Sequence, residues 1–530
     1  MTSTGSGGSR GLTIPAATAA AAEEHGQRLA LVDGDTQYTY AELAEAVRTL
    51  AAALVASGIA RGDRVSVWAP NSAEWVVAAL GTFEAGAVLV PINTRFKGAE
   101  AADVVRRSGA RVLVTVTDFL GTDYVAMLRS VGDLPALETV VVARGPVADG
   151  TVAWSALLDR ATPQAREEVA RRVADLGPED PSDILFTSGT TGVPKGVVQT
   201  HGRTLTVGSD WVAMTGLTAG DRYLMVNPYF HMFGLKAGIL PSLIAGATML
   251  PEPVFDVDRV LARVEQERVT VLPGAPTLYQ SILDHPERDR YDLSTLRVAV
   301  TGAADIPVQL IRRVHEELPF QFVVTGYGLT EAGTAAATAP TDTPETIATT
   351  VGRARPGFSL RVVDDKGQDV ASGEAGEILL RGGSVMSHYL DDPEATADTL
   401  SADGWLKTGD LGVVDENDCL RIVGRVKDMF IVGGFNAYPA EIENALLRHP
   451  DVQQAAVIGV PDQRMGEVGM AFVVLRQGAA IGPADVIAWS REQMANYKVP
   501  RYVEVVADLP LNATGKVVKD ELRKRAPAPA

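Results

Sequence analysis

Between about Thr39 and Val116 the chain alternates helix-spaced and strand-like apolar runs, and the alternation returns from Tyr223 to Val324. Tyr40 to Gly58 carries Leu43, Ala46, Val47, Leu50 and Leu54 at helical spacing, and Arg64 to Trp68 then reads as a strand. Ala73 to Ala85 is predicted helical, Ala87 to Val90 a strand, Ala99 to Ser108 a helix and Arg111 to Val116 a third strand. Val269 to Leu272 and Leu296 to Thr301 repeat the pattern. Strands separated by helices form a parallel sheet covered on both faces. A chain of 530 residues is too long for a single compact core. The predicted class is α/β, with a large N-terminal domain of two α/β subdomains. After about Gly352 short alternating strands, Ser359 to Val363 and Gly376 to Arg381, predict an added β-rich subdomain. From Asp428 a small α/β unit begins: strand Met429 to Val432, helix Pro439 to His449, strands Gln454 to Val460 and Met470 to Leu475, helix Pro483 to Met494 and a basic tail. The charged stretch Arg425 to Asp428 sets the expected division into a disordered 1–11, a large domain 12–427 and a small domain 428–530.

A hydrophobic content of 46% with 22% charged residues is that of a soluble globular enzyme. The formal charge of -18 argues against broad nucleic-acid binding. The single cysteine, Cys419, excludes an intrachain disulfide and a Cys-rich metal site, which fits a cytoplasmic location. The seven histidines include no His-Glu-x-x-His pair. No secretory signal is visible in the Gly/Ser/Thr-rich stretch Met1 to Gly11. The longest apolar run, Trp75 to Ile92, is interrupted by Glu84 and reads as a core helix plus a strand, not a membrane span.

Ile184-Leu-Phe-Thr-Ser-Gly-Thr-Thr-Gly-Val-Pro-Lys-Gly-Val197 puts an apolar strand end before Gly189 and Gly192, the hydroxyls of Thr187, Ser188, Thr190 and Thr191, and Lys195. Glycines let backbone N–H groups approach an anion, hydroxyls donate further bonds and the lysine adds charge, so such a loop can wrap polyphosphate. It lacks the Gly-Lys-Ser/Thr of the usual P-loop, because Pro194-Lys195-Gly196 stands there. Tyr327-Gly-Leu-Thr-Glu331 follows a predicted strand, Phe320 to Val324, at the kind of strand end where open α/β sheets bind ligands. Glu331 suits Mg²⁺ on phosphate oxygens and Tyr327 a stacked base; the plainer alternative is a solvated glutamate at a helix start. Asp410 in Thr408-Gly-Asp410 is either a ribose-binding carboxylate or an ordinary Gly-Asp turn. Arg425 either bridges ribose and phosphate or belongs to a surface charge cluster. Gly433-Gly434 before Pro439 admits a thin ligand close to backbone, or simply turns strand into helix. Lys516 is a solvated tail lysine unless the small domain closes over the site and carries it to developing negative charge. His231, among aromatics in Pro228-Tyr-Phe-His-Met-Phe233, is either a core histidine or a wall of a carboxylate pocket.

Together, in this order and spacing, these motifs resemble the adenylate-forming superfamily of acyl-CoA synthetases, aryl-CoA ligases, luciferases and peptide-synthetase adenylation domains, from about Leu12 to Leu522. Asn227 to Gly238, Leu272 to Pro307, Lys427 to Glu443 and Gly459 to Glu467 look most like bacterial CoA ligases for the bicyclic propanoate left by steroid ring degradation. The resemblance implies ATP-dependent conversion of a carboxylic acid to an acyl-adenylate, then a thioester with coenzyme A. It implies that the loop from Thr187 to Lys195 (with Ser188, Gly189, Thr190, Thr191 and Gly192) holds phosphates, and that Thr187 and Glu331 bind Mg²⁺. Ala303, Gly326, Tyr327, Gly328 and Thr330 cradle adenosine and the α-phosphate, Asp410 takes the ribose with Arg425 assisting, and Lys516 supports adenylation. It further implies a mobile small domain rotating about Lys427, so that Gly433 and Gly434 line the coenzyme A channel. The acid is expected among Tyr229, His231, Phe233, Gly274, Ala275, Gly302 and Ala304, with His231 as gate. Thr325 stands where aryl-CoA ligases often carry glutamine, so a phenylpropenoate acid does not follow. Transfer to a free carrier protein, activation of nitrite for an aryl amine, and a homodimer stand as open alternatives.

Overall fold

The computed structural model describes residues 13–187, 194–302, 308–433, 435–512 and 517–526. The stretch expected to be disordered, 1–11, lies outside them. Two large sheets dominate. In the eight-stranded sheet the order is His388–Tyr389, Lys195–Thr200, Pro181–Thr187, Val88–Pro91, Arg64–Trp68, Val112–Val116, Thr139–Arg144, Val152–Ala153. Its central strands are parallel, and the Pro181–Thr187 and Lys195–Thr200 pair is antiparallel. Every residue of Val112–Val116 is buried, as strands covered on both faces require.

The nine-stranded sheet runs Arg353–Ala354, Gly333–Ala337, Phe322–Leu329, Val298–Gly302, Val271–Pro273, Arg222–Met225, Thr248–Pro251, Leu29–Asp33, Thr36–Thr39. The N-terminal strand Leu29–Asp33 therefore crosses to the second sheet and pairs in parallel with Thr248–Pro251. Nothing local in its composition announces that partner.

One buried cluster joins the sheets, with Val65, Val67 and Val114 from the first and Tyr223, Val271, Val298 and Val324 from the second. Helices Tyr40–Ala56 and Ala73–Glu84 contribute to it. Thr39 starts the first of these helices with a reciprocal cap: Glu42 N donates to Thr39 Oγ1 at 3.2 Å and Thr39 N to Glu42 Oε2 at 2.8 Å. The apolar run Trp75 to Ile92 resolves into Ala73–Glu84 and Val88–Pro91, as its interruption predicts. A second cluster covers the other face of the nine-stranded sheet beneath Val257–Glu267, Pro276–Leu283 and Val308–Glu317. The last of these is amphipathic, burying Leu310, Ile311 and Val314.

Phe358–Val363, Ala375–Gly382, Leu406–Val414 and Leu420–Arg425 form an antiparallel sheet of their own. After the turn at 426–428, Phe430–Val432 opens a five-stranded sheet with Phe435–Ala437, Gly466–Leu475, Val452–Asp462 and Tyr502–Val505. Helices Pro439–Leu446 and Pro483–Gln493 pack beside it, and Phe430, Ile442, Phe472 and Val486 share its core. Among the described residues no helix is long and apolar enough to cross a membrane.

Candidate active site

The Tyr-Gly-Leu-Thr-Glu segment does not follow a strand that ends at Val324. The strand Phe322–Leu329 runs on through it and folds back as a hairpin onto Gly333–Ala337. Gly328 permits the close pairing, since a Cβ there would sit 2.5 Å from the Gly333 carbonyl oxygen. Gly326, Tyr327 and Gly328 are thus strand residues, while Thr330 and Glu331 occupy the hairpin turn and not a helix start.

Tyr327 is 9% exposed, and its hydroxyl donates to Asp410 Oδ2 at 2.6 Å. Arg425 Nε lies 3.0 Å from Asp410 Oδ1. Asp410 and Arg425 are cross-strand partners in register, so sheet geometry makes this ion pair. Asp410 N donates to Thr408 Oγ1 at 3.1 Å, which fixes the turn. Burial, and then the Asp410 carboxylate, hold the Tyr327 phenol well above its ordinary pKa, so it stays a neutral donor. The ring that sequence offered as a stacking platform is mostly enclosed and orients a carboxylate.

Glu331 accepts a hydrogen bond from Tyr389 Oη at 2.9 Å and has no ion pair among the described residues. Burial pushes its carboxyl up; the Tyr389 hydroxyl opposes this, as does Arg425 more weakly, while Asp410 adds to it. Asp410, Arg425 and Glu331 therefore lie within electrostatic reach of one another. Lys195 Nζ sits 4.9 Å over the Tyr389 ring. Tyr389 arrives because His388–Tyr389 pairs with Lys195–Thr200; sequence reasoning missed it, and no spacing or charge signal marks it. Thr187 and Lys195 are register partners at the mouth of the predicted phosphate loop. Arg107, also missed, braces that mouth by donating to the Pro194 carbonyl at 2.6 Å and lying over the Phe186 ring. Ser188, Gly189, Thr190, Thr191, Gly192, Ala303, Ala304, Gly434 and Lys516 lie outside the described residues.

Among the described residues no three His, Cys, Asp or Glu side chains cluster as a metal cage. A raised, partly enclosed carboxylate bonded to a neutral tyrosine hydroxyl and to no cation among the described residues suits Mg²⁺, which takes one or two carboxylates and completes its shell with phosphate oxygens and water.

The segments expected to receive the acid are built differently. His231 caps the turn Met232–Gly234, its Nδ1 accepting from Phe233 N at 3.2 Å. Phe233 meets Trp211 edge to face at 5.4 Å. A Cβ at Gly234 would overlap the Pro228 carbonyl, so only glycine allows this tight segment. Tyr229, expected in the pocket wall, has no exposed surface; it packs on Trp75, and its hydroxyl lies 3.1 Å from Met225 Sδ. It is a core residue. Gly274 N donates to the Val300 carbonyl at 3.0 Å, and Ala275 precedes the helix Pro276–Leu283. Gly302 serves strand contact: a Cβ there would lie 2.8 Å from the Gly326 carbonyl oxygen. Thr325 is fully buried and donates to the Ile347 and Thr350 carbonyls, so that position sends no side chain into a pocket.

In the small domain Gly433 has φ +56 and donates to the Met465 carbonyl at 2.8 Å. Lys427 is exposed in the turn between Leu420–Arg425 and Phe430–Val432. Its neighbour Asp428 pairs with Arg523 at 2.6 Å.

Residues 18–390 match the model of the AMP-binding enzyme family, and residues 441–516 that of the AMP-binding enzyme C-terminal domain. A 3-[(3aS,4S,7aS)-7a-methyl-1,5-dioxo-octahydro-1H-inden-4-yl]propanoyl:CoA ligase of Rhodococcus jostii is 49% identical over 516 residues, covering 97% of this chain and 98% of that protein. The ligase of the same name from Mycobacterium tuberculosis is 50% identical over 513 residues, with 97% and 98% covered. The crystal structure of the anthranilate CoA ligase AuaEII with anthranoyl-AMP superposes with a TM-score of 0.88 at 29% identity, covering 97% of each chain. The chain belongs to the AMP-binding enzymes of the adenylate-forming superfamily, as an AMP-forming acid–CoA ligase that uses ATP, coenzyme A and a small carboxylic acid.

Proposed function

We propose that the acid is a bulky alicyclic propanoate of the bicyclic, steroid-derived kind, activated at the Asp410–Glu331 constellation and passed to coenzyme A after rotation of the small domain about Lys427. The observation that carries the substrate class is the near-half identity, over almost the whole chain, to two ligases named for such an acid. The small side chain of Ala275, half-buried at the start of the helix Pro276–Leu283, supports it.

In the first half-reaction a carboxylate oxygen attacks the α-phosphorus of ATP and pyrophosphate leaves with the electron pair of the broken bond. The protein has little covalent work here; it positions two anions and neutralises them. Asp410, held by Tyr327 and Arg425, takes the ribose hydroxyls. Gly326, Gly328 and Thr330 line the adenosine and α-phosphate, and Lys195 and the loop residues 188–192 take the outer phosphates. Glu331 and Thr187 would hold Mg²⁺, which would supply positive charge against the phosphates. Lys516 supports the developing charge. In the second half-reaction the thiol sulfur of coenzyme A bonds to the acyl carbon, AMP leaves, and the thiol proton passes to solvent. Gly433 and Gly434 line the channel, and His231 with Phe233 opens or closes the acid pocket.

Pyrophosphate release over fatty, aryl, amino-aryl and bicyclic propanoate acids, with and without coenzyme A, tests this reading, with products weighed by mass spectrometry. A coenzyme A adduct of the bicyclic acid alone supports it; preference for another acid overturns the substrate class. Lys516→Ala is expected to abolish adenylation yet spare thioester formation from supplied acyl-adenylate. Lys427→Pro, which stiffens the hinge, is expected to do the reverse. Equal loss in both half-reactions for either variant removes the corresponding role.

A further inference from the structure

The acid-pocket segment 225–239 leaves the nine-stranded sheet after Arg222–Met225, yet two buried polar ties from the eight-stranded sheet hold it. The first is Asn71, 4% exposed, in the loop after Arg64–Trp68. Its Nδ2 donates to the Met225 and Asn227 carbonyls at 2.9 and 3.0 Å, and its Oδ1 accepts from Tyr229 N at 2.8 Å. Two carbonyls and one N–H demand an amide in this orientation; no carboxylate supplies both donors. Asn227 extends the tie by donating to the Pro273 carbonyl, next to Gly274.

The second tie is an ion pair. Lys236 Nζ lies 2.6 Å from Asp183 Oδ1, the two side chains 1% and 0% exposed. Asp183 Oδ2 accepts from Ser182 Oγ and Thr204 Oγ1, each at 2.7 Å. Lys236 sits in the π-helical turn Leu235–Ile239, an irregularity often found at functional sites. Asp183 is on Pro181–Thr187, the strand that ends at Thr187 and enters the phosphate loop. Stripping two charges of water is costly, and apolar side chains of like volume hold a core as well or better. The pair is therefore expensive for a purely structural fastener.

We propose that Asn71 and the Asp183–Lys236 pair are positioning residues that set the acid-pocket wall relative to the phosphate-loop strand, and so govern which acid is presented to ATP. The proposal rests on the assignment of Tyr229, His231 and Phe233 to the acid pocket. Neither tie touches substrate; each acts through the backbone it holds.

The test compares wild-type enzyme with Asn71→Ala, Asn71→Asp and the double variant Asp183→Leu/Lys236→Met, which replaces the pair by apolar volume. The double variant is expected to melt close to wild type, yet to raise KM for the acid at least tenfold, with KM for ATP within about twofold, and to flatten the ranking of an acid panel. Asn71→Ala is expected to shift acid KM the same way, and Asn71→Asp not to rescue it. Amide hydrogen exchange needs no turnover: in both Asn71→Ala and the double variant, 225–239 is expected to exchange at least tenfold faster while 181–187 keeps its protection. Wild-type acid ranking and unchanged exchange in the double variant would overturn the clamp. If wild type makes no thioester from any acid, the proposed function fails, and exchange still decides the clamp.

Discussion

The chain shelters carboxylates in two neighbourhoods and treats them in opposite ways. At the site, Glu331 is given a neutral tyrosine hydroxyl at 2.9 Å and no cation at contact distance among the described residues. Beneath the pocket, Asp183 is given Lys236 at 2.6 Å and two hydroxyl donors. A carboxylate sheltered without a cation is strained until a ligand brings one. A carboxylate already paired is satisfied and can hold a position but has nothing left for chemistry. Asp410 stands between them, ion-paired with Arg425, which ends the edge strand Leu420–Arg425 and remains about half exposed.

The largest expected effect breaks the closed neighbourhood. Asp183→Asn leaves Lys236 buried without its counter-charge, and removing one partner of such a pair costs about 3–5 kcal/mol. Urea unfolding of the variant should show a loss of that order. A loss below about 1 kcal/mol would mean that water reaches the pair and that the two neighbourhoods do not differ as described.

The same change of carboxylate to amide at Glu331 should act the other way on stability. Burial raises this carboxyl, so the folded state binds its proton more tightly than the unfolded state. Ionisation at neutral pH therefore weakens the fold. Glu331→Gln is expected to raise apo-protein stability at neutral pH, while pyrophosphate release falls about 10²–10³-fold. If the variant is destabilised, or retains more than a tenth of the rate, Glu331 is a structural acceptor for Tyr389 and not a cation ligand.

The contrast between the neighbourhoods also marks what sequence alone can reach. Asp410, Arg425, Glu331 and Lys195 sit in short motifs because a phosphate or ribose imposes local residue types, and those are legible. Strands such as Val112–Val116 are legible because both faces are buried and the run is continuously apolar. Asn71, Tyr389, Asp183 and Lys236 are not, since each acquires its meaning from a partner 53 or more positions away, across sheets or strand pairings. The glycine at 302, expected in the acid pocket, also lies in close strand contact with Gly326, a constraint that only register supplies. Tyr327 was expected just beyond a strand ending at Val324; the strand runs on to Leu329 and the hairpin leaves Tyr327 9% exposed.

Glu84 and His201 show how finely the line between sheltered and paired charge can be measured. Glu84 ends the helix Ala73–Glu84 with burial raising its carboxyl to about 7, which Arg48 only partly opposes. His201 is fully buried, and burial lowers its imidazole to about 4 against the pull of Asp183 and Asp180. Between pH 4.5 and 7 the folded state keeps a proton on Glu84 that the unfolded chain has lost, so stability falls as pH rises. Between pH 6.5 and 4 the unfolded chain gains a proton on His201 that the fold refuses, so stability falls as pH drops. The two slopes oppose each other over pH 4.5–6.5 and nearly cancel in the wild type. Glu84→Gln uncovers the histidine: the variant should gain about 3 kcal/mol over wild type at pH 8, nothing near pH 4, and a rising slope between. Urea midpoints across that range measure this directly, and an equal gain at pH 4 and pH 8 would assign the effect to packing at the helix end, not to ionisation.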